Sequence, residues 1–586
     1  MMKLLRLLKP YRVLVSFVLL FVFLQSLSDL YLPTLLADIV DKGVVQGDNP
    51  YIWKIGGFML LIALVGGLCS IGASYLSAKS AGGFGRDLRS RVFAHVEKYS
   101  LHEFDQIGTA SLITRTTNDI TQVQQVLMMM MRVMVAAPMM CFGGIIMALY
   151  KDAHLSLIII AIVPILALVI LGVVSRGVPL FKVMQVKIDK LNLVLRENLT
   201  GIRVIRSFNR TKHEQGRFND ANMDLTDTAI KVNRIMATLM PVMMLVMNFA
   251  SLFIIWFGGL RIESGNMQVG DLMAFIQYAW QIMFALIFAS MMFVMIPRAS
   301  ASATRINEVL NTVPDIYDPA GIPRRANASD SAAGLPSVSS GELAFNNVSF
   351  HYPGAEMPAL SDISFTASAG EVTAIIGGTG SGKSTLINLI PRFYDVSGGS
   401  ITVGGVDVRE MTQESLRAGI GLVPQKAVLF TGSIADNIRF GKSDATDEEL
   451  RHAAEVAQAY DFISEMKEGF DAPIAQGGTN VSGGQKQRLS IARALVRRPS
   501  IYLFDDSFSA LDFKTDAKLR AALRSETTEA TVLIVAQRVS TVMDADRIIV
   551  LDDGRISAIG THRELLQSST VYREIVTSQL SEEEIA

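Results

Sequence analysis

The fold of the second half of the chain is decided by the stretch Gly377-Gly378-Thr379-Gly380-Ser381-Gly382-Lys383-Ser384. It follows the apolar run 372–376 and precedes the apolar run 385–390, which is the strand–loop–helix context of a phosphate-binding P-loop. Glycines let backbone N–H groups turn inward around a phosphate, and the start of the following helix adds partial positive charge. We therefore expect the residues from Gly377 to Thr385 to bind a nucleotide, with Lys383 facing its β- and γ-phosphates and Ser384 ligating Mg²⁺.

A second buried strand is predicted for residues 501–504, and it ends in Asp505. A carboxylate at the end of a strand beside a P-loop suits a magnesium–nucleotide site, where it often acts through a metal-bound water. The pattern therefore predicts a magnesium site shared by Ser384 and Asp505, in an α/β P-loop domain that covers residues 341–586.

The first half of the chain is far more apolar than a soluble protein. Of the 586 residues, 50% are hydrophobic and 19% are charged, and the apolar residues form long runs up to about residue 296. Crossing a hydrocarbon core takes roughly 20 apolar residues. The runs that are long enough lie near 13–36, 55–76, 133–150, 155–175, 236–260 and 272–296. We predict a six-span α-helical membrane domain in residues 1–310, followed by a linker rich in Pro, Gly, Ala, Ser and Asp in residues 311–340.

Charge and cysteine content exclude several function classes. The net charge of −1 gives no basic excess for a nucleic-acid surface. The two cysteines, Cys69 and Cys141, lie inside apolar runs, so we interpret them as small core residues. The run 13–24 could also be the apolar region of a signal peptide. However, no small-residue cleavage site follows it, and further apolar runs come later in the chain.

The basic residues predict the orientation of the spans. The two long connections after the second and fourth spans are rich in Lys and Arg, whereas the opposite side carries only Lys42, Lys54, Lys151 and Arg261. By the positive-inside rule, both long connections and both termini face the cytoplasm. Each connection is too long for a turn, so we expect an extended pair of helices projecting below the bilayer.

The run Asn480-Val481-Ser482-Gly483-Gly484-Gln485-Lys486-Gln487-Arg488 resembles the signature motif of the ABC exporter family. The long connections also resemble that family's intracellular loops, at 103–119 and 197–208, each of which carries a short coupling helix in the family. The resemblance covers nearly the whole chain. It implies ATP as ligand, with Ser482, Gly483, Gly484 and Gln485 completing the ATP site of an opposite cassette in a head-to-tail dimer.

Three further positions resemble functional positions of the family. Tyr352 matches the aromatic residue that stacks on adenine. Gln425 matches the glutamine that reaches Mg²⁺ and the attacking water. Asp512, in the run 509–512, matches the loop by which one cassette senses the site of the other.

Two positions depart from the family where catalysis takes place. Asp506 stands where active members have a glutamate that polarises water, and Gln537 stands where they have a histidine that contacts the γ-phosphate. The aspartate is shorter by one methylene, about 1.5 Å, and an amide cannot take up a proton near neutral pH. A third departure, Gln476, replaces a glutamate common just before the signature motif.

The departures indicate a subunit that binds ATP and hydrolyses it slowly beside a different half with intact Glu and His. This pattern resembles the degenerate-site subunit of heterodimeric multidrug-type exporters. A homodimer with two weakened sites and an ATP-gated regulatory membrane protein remain alternatives. An importer is disfavoured because importer cassettes are usually separate chains. A peptide-processing exporter is disfavoured because no peptidase domain precedes the first span.

The sequence does not identify the substrate, but it favours a class. Many methionines in the membrane half, such as the run 128–131, suit adaptable apolar surfaces, although most such residues fill cores or face lipid. The polar residues Asn248, Gln277 and Gln281 lie inside predicted spans, where polar groups face the protein interior. We expect hydrophobic or amphipathic small molecules as substrates, moved across the cell membrane.

Overall fold

The computed structural model describes residues 2–319 and 341–580. By their internal contacts they form two units. The first comprises the residues up to Lys98 together with Ile107–Val313, and the second comprises Tyr99–Gln106 together with the residues from Pro314 onward. Most of the predicted linker, residues 320–340, lies outside the described residues, so the limits of the two domains stay a prediction.

The first unit is entirely helical in its described residues. Its α-helices are α1 (Met2–Leu5), α2 (Arg12–Asp38), α3 (Asn49–Val96), α4 (Leu101–Ile107), α5 (Thr109–Thr114), α6 (Ile120–Lys151), α7 (Ala153–Thr200), α8 (Ile202–Ser207), α9 (Thr211–Glu263) and α10 (Val269–Asn311), of which α4 belongs almost wholly to the second unit. A 3-10 helix covers Arg6–Tyr11, and π-helical segments cover Ile39–Val44 and Arg115–Asp119.

Six helical stretches among the described residues are long and apolar enough to cross a membrane. They are Lys3–Val44, Asn49–Val96, Thr109–Lys151, Ala153–Thr200, Thr211–Glu263 and Val269–Asn311, and each contains one predicted span. At 1.5 Å per residue, helices of this length extend about 60–80 Å, whereas the hydrocarbon core is about 30 Å thick. The prediction of six spans is confirmed, and the excess length gives the helical extensions expected from the two long connections.

Buried polar pairs fix the helices of the first unit to one another. Arg261 donates to the buried carboxylate of Asp152 at 2.5 Å, and Lys151 pairs with Asp271 at 2.8 Å. The carboxylate of Asp119 accepts hydrogen bonds from Arg305 and from Ser302. Pairing compensates the cost of burying these charges, so each pair specifies which helices lie side by side.

The second unit contains three β-sheets. Its strands are β1 (Leu343–Phe350), β2 (Leu360–Ala367), β3 (Val372–Gly377), β4 (Gly398–Val403), β5 (Val406–Asp407), β6 (Ile420–Val423), β7 (Gly432–Ser433), β8 (Pro473–Ile474), β9 (Ile501–Asp505), β10 (Thr531–Val535), β11 (Arg547–Asp552) and β12 (Arg555–Gly560). The largest sheet has the order β12-β11-β3-β10-β9-β6 and is parallel except for β12. A four-stranded sheet has the order β2-β1-β4-β5, and β7 pairs with β8.

Helices of the second unit follow the strands. They are α11 (Lys383–Leu389), α12 (Gln413–Ala418), α13 (Ile434–Arg439), α14 (Asp447–Val456), α15 (Tyr460–Glu465), α16 (Gly483–Leu495), α17 (Phe513–Glu526), α18 (Val539–Val542), α19 (His562–Ser568) and α20 (Thr570–Thr577), with 3-10 turns at Gly469–Asp471 and Gln476–Gly478. Every residue of β9 and β10 is buried. Burial on both faces explains their continuous apolar sequence, which is typical of central parallel strands.

The segment Tyr99–Gln106 is held to the second unit by the buried side chain of Glu103. The Glu103 carboxylate accepts hydrogen bonds from the backbone N–H groups of Ser100, at 2.6 Å, and Asp315, at 2.8 Å. Asp105 accepts a long hydrogen bond from the hydroxyl of Tyr394, at 3.4 Å. The short helix α4 is therefore joined to the P-loop domain through backbone and side-chain hydrogen bonds.

Candidate functional site

The P-loop connects β3 to α11 through a turn that only glycine can make at two positions. Gly380 and Gly382 have φ angles of +86° and +97°, which are unfavourable for residues with a Cβ atom. A Cβ on Gly382 would also lie 2.6 Å from the side chain of Leu360. The loop thus folds as predicted, although α11 begins at Lys383, two residues before the predicted helix.

Lys383 lies at the first turn of α11 and is buried. Its Nζ donates to the carbonyl oxygens of Gly377, at 2.9 Å, and Gly378, at 2.6 Å. Burial lowers the pKa of the Lys383 ammonium group, and the negative charges of Asp506 and Asp505 oppose this effect. The cation is therefore positioned inside the loop, close to both carboxylates.

The predicted magnesium-binding pair is brought together. The Ser384 hydroxyl donates to Oδ1 of Asp505 at 3.0 Å, and burial raises the pKa of the Asp505 carboxyl. Hard oxygen donors of this kind fit Mg²⁺, which keeps several waters and is completed by substrate phosphates. No group of three His, Cys, Asp or Glu side chains in the described residues forms an all-protein metal cage. The two donors would hold the ion and orient the phosphates around it.

The three residues expected around the reaction meet at one oxygen atom. Oδ2 of Asp506 accepts hydrogen bonds from Nε2 of Gln425, at 3.2 Å, and from Nε2 of Gln537, at 3.0 Å. Burial raises the pKa of the Asp506 carboxyl, an effect that the Gln425 hydrogen bond opposes. The carboxylate is thus held by two neutral amides, neither of which can accept a proton near neutral pH.

Sheet topology explains why these residues converge. The strands β3, β10, β9 and β6 are neighbours and run parallel, so their carboxyl ends meet at one edge of the sheet. Gln537 and Gln425 each follow the end of a strand by two residues. Asp506 follows β9 directly with a φ of +46°, a left-handed turn that sequence patterns do not reveal.

Tyr352 lies beside the P-loop helix, and its hydroxyl is 2.9 Å from that of Thr385. Its ring packs edge-on against Phe350 and Tyr394, at centroid distances of 4.9 and 5.5 Å. Tyr394 was not predicted as a site residue from the sequence. Burial, followed by the charge of Asp105, raises the pKa of Tyr394 to about 12, so this hydroxyl stays protonated. The sequence shows only that Tyr394 is an aromatic residue after the P-loop helix.

The signature motif and the P-loop are not joined by hydrogen bonds in the part of the chain that the structure describes. Ser482 caps α16: its hydroxyl accepts from the Gln485 N–H at 3.3 Å, and the Gln485 side chain accepts from the Ser482 N–H at 2.8 Å. Ser482 and Gly483 are exposed. Within residues 2–319 and 341–580, no hydrogen bond joins residues 482–485 to the P-loop. Asp512 caps α17 by accepting from Thr515 N–H at 3.0 Å. The helix α16 begins at Gly483, within the signature motif.

Comparison with known proteins matches both halves of the chain. The family described as ABC transporter transmembrane region matches residues 15–286, and the family described as ABC transporter matches residues 360–509. An uncharacterized ABC transporter ATP-binding protein of Mycobacterium tuberculosis is 45% identical over 574 residues, which cover 97% of each chain. A solved structure, that of a bacterial Atm1-family ABC exporter with ATP bound, has a TM-score of 0.79 and 26% identity, and covers 97% of this chain and 99% of its own.

The chain belongs to the ABC exporter family. An ATP-dependent lipid A-core flippase of Syntrophus aciditrophicus is also 32% identical over 530 residues, covering 90% of this chain and 86% of that relative. The predicted fold class, a six-span membrane domain followed by an α/β P-loop cassette, is confirmed. The chain is therefore a multi-pass membrane protein with an ATPase domain, and ABC exporters of this kind work as dimers in a lipid bilayer.

Proposed function

We propose that this ABC exporter half binds ATP and Mg²⁺ at its own site, hydrolyses ATP slowly there, and pairs with a different half whose catalytic site is complete. In this arrangement, the signature motif of each half completes the ATP site of the other. The cassettes and both termini face the cytoplasm, as the basic residues of the long connections favour.

The hydrogen bond between Asp506 and Gln537 carries this proposal. The two positions that depart from active family members bind each other at 3.0 Å, and Gln425 binds the same carboxylate oxygen. A carboxylate that already accepts two amide hydrogen bonds and is one methylene short of glutamate is poorly placed to polarise water. A displacement of about 1 Å costs on the order of 100-fold in rate.

The residues that bind nucleotide show no comparable departure. Lys383 lies within the P-loop, and Ser384 is bonded to Asp505. Ser482 and Gly483, at the start of α16, lie at the exposed surface. A site with intact binding groups and altered catalytic groups supports tight binding with slow turnover. The exposed signature motif supports a catalytic role at the partner's site.

An exposed apolar tip on the first unit supports assembly with a second half. The tip lies between α7 and α9 and carries α8. Val204 is 61% exposed and Phe208 is 75% exposed. Apolar side chains clustered at such a tip mark an interaction surface. We infer that it docks on the cassette of the partner half.

Amphipathic small molecules are the substrate class that we propose. The flippase relative is named for lipid A-core, an amphipathic lipid. In this chain, Met273 and Met291 lie on one side of α10 and are 42% and 49% exposed. Flexible methionine side chains accommodate apolar groups of varied shape.

The pairing is tested by purifying a tagged chain from its native membrane in mild detergent. We expect a second polypeptide of similar architecture in near-equal amount, because an incomplete site depends on a complete one for turnover. Mass spectrometry should identify Glu and His at its catalytic positions. A homodimer with full ATPase and transport activity would contradict the pairing, and ATP-dependent opening without transport against a gradient would contradict the exporter role.

A further inference from the structure

Asp29 is the only Asp, Glu, Lys, Arg or His within the six predicted spans, 13–36, 55–76, 133–150, 155–175, 236–260 and 272–296. It lies on α2, in the part of that span nearer the outer side of the membrane. Charged residues inside membrane spans are costly, and they mark ion or substrate pathways. Asp29 was not among the polar residues predicted to face the protein interior.

Asp29 lacks the basic partner that three other acids of the first unit have. Asp152 pairs with Arg261, Asp271 with Lys151, and Asp38 with Lys42. The carboxylate of Asp29 receives a hydrogen bond from the neutral Gln25 side chain, and no ion pair joins it to a basic residue in the described part of the chain. The carboxylate is therefore open to pairing with a cation.

Gln281 of α10 lies against Asp29 and offers a second acceptor. Its Nε2 donates to the backbone oxygen of Asp29 at 2.9 Å. Its Oε1 is buried and accepts no hydrogen bond among the described residues. A buried acceptor without a donor is costly and calls for a ligand or a water. An acidic residue and an amide oxygen without a donor therefore belong to two residues that are in contact where α2 meets α10.

Aromatic side chains continue this site along α10. Gln277, Gln281, Phe284 and Phe288 recur at helical spacing, so they share one face of the helix. Phe284 and Phe288 are 46% and 52% exposed, and Trp280 packs on Phe284 with ring centroids 5.9 Å apart. Aromatic faces attract organic cations, and Trp does so best.

We propose that Asp29, with Gln281 and the aromatic face of α10, recognises the positively charged group of an amphipathic substrate. This inference rests on the proposed export of amphipathic molecules and restricts it to cationic ones. The carboxylate provides the attraction, Gln281 Oε1 accepts from an ammonium group where the substrate has one, and the rings of Phe284 and Phe288 contact the apolar body.

Two probes of equal shape and opposite charge test this inference: tetraphenylphosphonium and tetraphenylborate. Binding of each is measured to the purified pair in nanodiscs, with binding to empty discs subtracted. Binding of a third probe, the neutral amphiphile Nile red, is measured in the same way. Stimulation of ATPase activity by each probe is measured in parallel. For Asp29→Asn we expect about a tenfold or greater loss of tetraphenylphosphonium affinity, which corresponds to about 1.4 kcal/mol or more, because the change removes the negative charge that attracts the cation. Nile red affinity should stay within about twofold.

Asp29→Glu restores the charge and should recover most of the tetraphenylphosphonium affinity. If Asp29 had a purely structural role, the affinity would not depend on the charge of this side chain. Asp38→Asn, on the same helix but paired with Lys42, is the matched control and should leave both affinities unchanged. Equal effects of Asp29→Asn on charged and neutral probes, or no effect, would overturn the inference while leaving the proposed function intact. If the unmodified pair responds to none of the three probes, both the inference and the proposed substrate class are wrong.

Discussion

Replacing Lys383 by alanine is expected to lower the ATP affinity of this chain's own site by about 10- to 100-fold. The change removes the cation that faces the β- and γ-phosphates, and hydrogen bonds to charged groups contribute about 1.5–3 kcal/mol. Binding is measured on the purified pair with a labelled ATP analogue that can be cross-linked to each chain separately. Only the amount of label cross-linked to this chain should fall.

Transport should suffer less from this change than from the matching change in the partner half, because in the proposed pairing the partner's site performs most of the hydrolysis. Lys383→Met, which keeps the apolar stem of the side chain, separates loss of charge from loss of packing. Lys518→Ala, at an exposed position of α17, is the matched control and should have no effect. Equal loss of hydrolysis from the two P-loop changes would show that the proposed asymmetry has no functional consequence.

The combined change Asp506→Glu and Gln537→His should raise hydrolysis at this chain's site, by about 10-fold or more. The longer side chain recovers about 1.5 Å of reach, and a misplacement of about 1 Å costs on the order of 100-fold. The histidine restores a group that titrates near neutral pH. Turnover at this site is measured in a pair whose partner site has been inactivated, so that every product molecule comes from the engineered site.

The single changes serve as internal controls. Asp506 and Gln537 form one hydrogen-bonded pair, so their effects should not be additive. The gain also requires that the partner's signature motif be intact, because that motif completes this site. If that motif is intact and the hydrolysis rate of the double variant is unchanged, then neither the length of the side chain at 506 nor a titrating group at 537 limits hydrolysis at this site.

The membrane half was predictable because its signals are local. Each apolar run by itself predicts a span, and all six predicted spans lie inside observed helices. The helix ends were not predictable, since α3, α7 and α9 continue well past the apolar runs into polar sequence. In those extensions, packing between helices replaces hydropathy as the reason for helical structure.

Most of the nucleotide site could also be predicted, because glycine spacing and strand ends are visible in sequence. Less visible was the φ of +46° at Asp506, which aims its carboxylate at Gln425 and Gln537. Tyr394 was missed because its contacts with Tyr352 and Asp105 come from distant parts of the chain. Asp29 did have a signal, since it is the single charged residue of the six spans, and only its contact with Gln281 required the structure.

The proposed slow hydrolysis requires that the Asp506 carboxylate contribute little to turnover, and the change Asp506→Asn in the purified pair tests this requirement. Steady-state ATPase activity is measured beside the same change at the partner's catalytic glutamate, with trapping of labelled nucleotide at each site. We expect Asp506→Asn to keep the rate within about twofold. The partner's change should lower the rate by about 10²- to 10⁴-fold, as expected for loss of a working catalytic carboxylate. A collapse of activity on Asp506→Asn alone would show that this site is a working catalyst and that slow hydrolysis here is wrong.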